Sequence, residues 1–143
     1  MSNITEKEVV NTTWRENMSF ESEVNGHRII LDAKEEVGGN DEGPRPKPLM
    51  LAALGGCTGM DVVSILKKMR VEIKGLNVRV EGDLTENHPK RFSKMHVIYE
   101  FEGENLPMDK LEKAVSLSED RYCGVSAVYK QALEITSEII VKN

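Results

Sequence analysis

Cysteine, aromatic residues and long apolar runs are all scarce in this chain, and each scarcity narrows what it can be. Two cysteines in 143 residues rule out a disulfide-stapled scaffold. Cys57 and Cys123 lie 66 positions apart, so they form no CxxC pair, and no Cys/His cluster has zinc-ligand spacing. One tryptophan, three tyrosines and three phenylalanines are all the aromatic residues there are. Nor is there an excess of positive charge: 24 acidic against 19 basic residues give a net charge of −5, with both signs well mixed. Nucleic acid is therefore not an expected partner. No apolar run reaches the ~20 residues that cross a bilayer, so no membrane association is expected. The opening MSNITEKEVV lacks a basic n-region before an apolar stretch. These features lead to the expectation of a cytoplasmic protein, one domain spanning 1–143, with no cofactor and no metal.

What is present is a clear alternation of strand and helix patterns. Met18, Phe20, Ser22 and Val24 alternate with polar residues, the period of a half-buried strand. Asn25-Gly26 follows, a preferred type I′ hairpin pair, and His27 to Ala33 supplies the return strand. Glu8 to Trp14 is a plausible earlier strand, placing the N-terminal strands at about 7–34. GGNDEGPRPKP reads as a loop covering about 35–48. LMLAALGGCTGMDVVSILKKMR then predicts a central helix at about 49–70, with Lys67, Lys68 and Arg70 at its C-terminal end. Its first half is apolar or small on nearly every face, which predicts a helix surrounded by protein. Strands follow at about 75–103, where Leu76, Val78 and Val80 face Met95, Val97, Tyr99 and Phe101 across a turn at Glu86–Lys90. Pro107 and Asp109 open helices at about 108–131, and a final strand occupies about 132–141. Strands segregated from helices indicate α+β. His27, His88 and His96 are scattered over strand-like and turn-like segments, as ordinary strand or surface histidines are.

The chemistry is in AALGGCTGMDVV. A lone cysteine is commonly a small core residue, yet three glycines, each costing a helix roughly 1 kcal/mol, surround Cys57. Gly55, Gly56 and Gly59 remove side chains beside the sulfur, so another backbone or a substrate can approach. Helix–helix contact explains them as well as catalysis does. An ordinary thiol is only about 3% ionised at neutral pH, and lowering its pKa by about two units takes roughly 2.7 kcal/mol. A guanidinium is the obvious source. Asp61, at i+4 from Cys57, would oppose a thiolate, so it is expected to cap, to pair with a base or to face away. Cys123 lies in SEDRYCGVS, and a helix starting there would favour its thiolate. The CGVS spacing matches a CxxS redox motif.

PKPLMLAALGGCTGMDVVSILKKMR (46–70) and LSEDRYCGVS (117–126) resemble the two cysteine signatures of the OsmC-like/organic hydroperoxide resistance (Ohr) family, in the small branch with a GGC-x-x-x-DVVSIL helix. The order of elements agrees along nearly the whole chain. The resemblance implies antiparallel sheets around a long central helix and an intertwined homodimer with sites at the subunit interface. It implies Cys57 as the thiolate that reduces a hydroperoxide, Cys123 as the resolving thiol, and a dithiol reductant that restores both. The family's arginine, in an early interstrand loop, corresponds best to Arg15, with Arg28 as fallback. Two positions depart from the peroxide-reducing pattern: Lys47 stands where a glutamate pairs with that arginine, and Gly124 where proline follows the second cysteine. They keep an alternative in view, a redox-sensing or small-ligand-binding dimer without peroxidase activity. A third reading leaves both cysteines as core residues without chemistry.

Overall fold

In a computed structural model, which describes residues 6–143, the chain forms two compact units, one ending at Leu49 and the other running from Met50 to Asn143. The first is a three-stranded antiparallel sheet of β1 (Asn11–Glu16), β2 (Ser19–Val24) and β3 (His27–Leu31), in that order. Its hairpin turns sit where left-handed backbone is available. Asn25 and Gly26 take φ of 51° and 80° between the paired residues Val24 and His27, as type I′ geometry requires. The first strand lies slightly later than the alternation predicts. Trp14 pairs with Phe20, and Glu16 with Ser19 across an irregularity, which carries the ladder past Trp14.

The Gly/Pro-rich loop after β3 is held by one buried carboxylate. Asp32 accepts the backbone N–H groups of Ala33 (2.7 Å), Asn40 (3.2 Å) and Glu42 (3.1 Å). Burial alone would raise its pKa, but these bonds and the nearby Arg45 outweigh it and hold the carboxyl below its ordinary value. The buried polar side chains of this unit are Ser19, Ser22 and Asp32, whereas Trp14, Met18 and Phe20 are exposed. A sheet this small has no apolar core of its own.

The second unit contains the core. Its sheet runs β4 (Gly75–Leu84), β5 (Phe92–Glu102), β6 (Glu134–Lys142). Along β5, Phe92, Met95, Val97, Tyr99 and Phe101 are buried, matching the predicted inward face. β4 and β5 are antiparallel, but β5 and β6 run parallel, in register from Lys94↔Glu134 to Glu102↔Lys142. This corrects the expectation of wholly antiparallel sheets. The helical connection over 103–133 returns the chain to the end of the sheet where β5 began, and a parallel neighbour requires such a crossover. That connection is α2 (Met108–Leu117), a π-helical turn (Ser118–Tyr122) and α3 (Gly124–Tyr129).

Helix α1 (Pro48–Lys68) buries one i, i+4 stripe: Leu54, Thr58, Val62 and Leu66. Gly55 and Gly59 lie over β4, where a Cβ would meet Val80 and Val78 side chains at 3.4 Å, while a Cβ on Gly56 would enter open space. Two of the three glycines are thus explained by helix-on-sheet packing within the chain. The helix is not enclosed as predicted, since Met60 is 77% and Val63 46% exposed. By length and a mean hydropathy of 1.8, α1 is also long and apolar enough to cross a membrane. This corrects the expectation that no such run exists: Gly, Thr, Ser and Asp interrupt the apolar residues of the helix without making it polar on average. Its buried stripe belongs to the same hydrophobic cluster as β5 and α2, the situation of a core helix.

Candidate functional site

Cys57 and Asp61, one helical turn apart on α1, are both half-buried. Cys123 reaches them from the crossover. The π-helical turn closes with the Cys123 N–H on the Ser118 carbonyl at 2.7 Å, a widened turn of a kind that recurs at functional sites. Cys123 then caps α3, its Sγ accepting the Ser126 N–H at 3.3 Å. The result brings the two sulfurs and an Asp61 carboxylate oxygen within 4.8 Å of one another. Both thiols are free.

The electrostatics of Cys123 differ from the sequence reading. Burial, then the hydrogen bond to Cys57, and further the charges of Cys57 and Asp61, push the thiol up to about 11. The Ser126 N–H favours the anion but is outweighed. Cys123 is therefore a thiol at neutral pH, not the thiolate that a helix start suggests. The expectation for Asp61 is corrected too: it neither caps nor turns away, and instead lies beside both sulfurs. Two sulfurs and one carboxylate fall one ligand short of a closed four-coordinate zinc site, and one oxygen of that carboxylate, Oδ2, accepts from Ser118.

Arg15 lies in the other unit, on β1, donating Nη1 to Ser19 Oγ at 3.0 Å. Arg28, on β3, donates Nε to Glu21 at 2.9 Å, and that hydrogen bond lowers the Glu21 pKa. Within the thiols' own unit the Asp61 carboxylate lies beside them. His96 bonds Thr136 (2.7 Å) and Glu138 (3.3 Å) across the β5–β6 pair, as a strand histidine would.

Sequence reasoning missed a buried polar chain running away from the thiols. Ser118 donates to Asp61 (2.9 Å) and contacts Thr58 (2.8 Å); Thr58 contacts Tyr99 (2.8 Å), which donates to Glu119 (2.8 Å). Thr58, Tyr99 and Ser118 are at most 1% exposed. Burial first, with the Glu119 charge, raises the Tyr99 phenol far above its ordinary value, so it keeps its proton. Tyr99 was visible in the sequence as an inward strand position, Thr58 only as part of the first cysteine signature, and Ser118 and Glu119 only as part of the second.

A long central helix crossing a mixed sheet, with one cysteine on the helix and a second presented by the crossover, defines a class of small α+β proteins with paired thiols. The chain belongs to the OsmC-like family: the profile of the OsmC-like protein family matches residues 38–138. Protein YhfA of Escherichia coli K12 is 32% identical over 86% of this chain and 90% of its own length. The crystal structure of a hypothetical protein from Aquifex aeolicus is 30% identical, with a TM-score of 0.81 over 97% of this chain and all of that one. The organic hydroperoxide resistance protein OsmC of Legionella pneumophila shares the fold, with a TM-score of 0.69 over 97% of this chain and all of that one at 14% identity.

Proposed function

We propose that this protein is a cysteine-based hydroperoxide reductase, acting on organic hydroperoxides from within the cytoplasm. The observation that carries the reading is the meeting of two free thiols, 66 positions apart in the chain, within 4.8 Å. Cys57, the half-buried and more accessible sulfur, attacks the peroxide as thiolate. The S–O bond forms, the O–O bond breaks, and an alcohol leaves behind a Cys57 sulfenic acid. Cys123, the buried thiol, then condenses with it, releasing water and forming the disulfide, which a dithiol reductant restores. Arg15 (or Arg28) supplies the cation that steadies the Cys57 thiolate. The Legionella neighbour, named an organic hydroperoxide resistance protein, is in keeping with the same chemistry.

The working unit is a homodimer. Exposed Met60 and Val63 on α1, and the uncovered apolar face of the N-terminal sheet, are surfaces that a second copy would bury. In steady-state assays with tert-butyl or cumene hydroperoxide, Cys57→Ser is expected to lose essentially all turnover. Turnover at the wild-type rate would end the reading.

A second reading, a redox-sensing or small-ligand-binding dimer, is favoured by one feature: the charge beside the thiols within their own unit is negative. Native mass spectrometry separates the two. A small molecule that copurifies, with no peroxide turnover, favours the second; an empty protein that consumes peroxide favours the first.

A further inference from the structure

The buried chain from Asp61 to Glu119 can be counted in protons. It has four links, Asp61–Ser118, Ser118–Thr58, Thr58–Tyr99 and Tyr99–Glu119, all between 2.8 and 2.9 Å. Three hydroxyls supply three protons, and two ionised carboxylates supply none. One link would then be a buried oxygen–oxygen contact with no hydrogen in it, a costly arrangement where Thr58, Tyr99 and Ser118 have no water to turn to. A single extra proton completes all four links, and it does so in two ways. With the proton on Asp61, every hydroxyl points toward Glu119; with it on Glu119, every hydroxyl points toward Asp61.

We propose that Asp61, Ser118, Thr58, Tyr99 and Glu119 form a proton relay that holds one proton beyond those of its hydroxyls and makes Asp61 the acid–base group of the thiol pair. The catalytic part rests on the peroxidase reading; the proton count does not. With the proton parked on Glu119, Asp61 is a free base next to both sulfurs. In the first step Asp61 takes the Cys57 S–H proton and returns it to the departing alkoxide, giving the alcohol. In the second it takes the Cys123 proton as that sulfur attacks the Cys57 sulfenic acid. It then passes the proton to the departing hydroxide, so the products are a disulfide and water. Asp61 faces Cys57 and Cys123, and it lines a hollow together with Lys68 and Tyr122. Facing Glu119 are Glu112, Asp120 and Glu138 across a surface hollow, and Ser137 donates to it at 3.1 Å, while Lys130 bonds its carbonyl at 2.7 Å. That hollow gives the relay a second exit, away from the thiols.

Infrared difference spectroscopy of the reduced protein at neutral pH counts the proton directly. The wild type is expected to show one protonated carboxylic acid that disappears in both Asp61→Asn and Glu119→Gln. An amide at either end donates the fourth hydrogen permanently and leaves the other carboxylate ionised. Tyr99→Phe, which splits the chain, is expected to lose the signal as well. No such signal in the wild type, or one that survives both amide variants, overturns the relay. Single-turnover kinetics supplies the second readout. Asp61→Asn removes a negative charge beside Cys123, so charge alone predicts faster disulfide formation. The relay predicts disulfide formation slower by about 10²-fold, the contribution of a positioned base, and a faster rate overturns it. A protein that ignores peroxide but keeps the infrared signal removes the peroxidase reading and leaves the relay standing; one that reduces peroxide without the signal does the reverse.

Discussion

Cys123 shows how a residue's surroundings override its local motif. A cysteine at the start of a helix reads as an activated thiol, yet here burial and two neighbours hold it protonated up to about pH 11. Because the folded value exceeds that of the unfolded chain, about 9, the folded state binds the proton more tightly. The stabilising contribution is full below pH 9 and is lost as pH rises through 11. Urea midpoints of the reduced protein are therefore expected to fall between about pH 9 and pH 11, and Cys123→Ser is expected to flatten that fall. An equal slope in the variant would remove the assignment. At this scale the sequence was a partial guide. The two sulfurs were legible from their signatures, because glycine crowding and a charged, turn-like segment are local signals. Their meeting was implied only by the family resemblance, and the inward Asp61 and the hydroxyl chain were not legible at all, since burial and hydrogen bonding across 20 to 60 residues of sequence leave no trace in spacing.

Among the elements, α1 was nearly read to its ends, and its true stop is a matter of backbone geometry. The Arg70 N–H bonds Lys67 at 3.1 Å and the Val71 N–H bonds Leu66 at 2.9 Å, with Arg70 itself at φ 60°. This pair of bonds is a Schellman closure with a left-handed residue at the position glycine prefers. An arginine there bears a cost of order 1 kcal/mol. Arg70→Gly is accordingly expected to stabilise the protein by up to ~1 kcal/mol in chemical denaturation, and a clear loss of stability would contradict the geometry. The strands of the core sheet were legible from alternation in Leu76–Val80 and Met95–Phe101. The direction of β6 was not: alternation is the same in parallel and antiparallel strands, and only the length of the crossover distinguishes them. The π-helical turn was also hidden, because Ser118–Tyr122 has the composition of any polar helix end.

For the whole molecule, the open question at Gly55, Gly56 and Gly59 divides in two. Gly55 and Gly59 serve the contact with β4, and Gly56 lies on the side of α1 that the single chain leaves uncovered. Met60 and Val63 are exposed on that side. If a second copy covers it, as proposed, Met60→Lys is expected to shift the protein from dimer to monomer in analytical ultracentrifugation, because a buried unpaired charge costs far more than a helix face gains. A Met60→Lys protein as dimeric as the wild type would place the interface elsewhere. The family and the α+β class were legible from the order of elements and two signatures. That a second copy covers the first sheet is what the resemblance implies.

The central claim is that two distant thiols complete one redox cycle. One equivalent of cumene hydroperoxide added to the reduced protein, followed by peptide mapping under non-reducing conditions, tests it most directly. A Cys57–Cys123 crosslink formed in step with peroxide loss, and absent from Cys57→Ser, is the predicted result; peroxide left unconsumed with both thiols still free would contradict it.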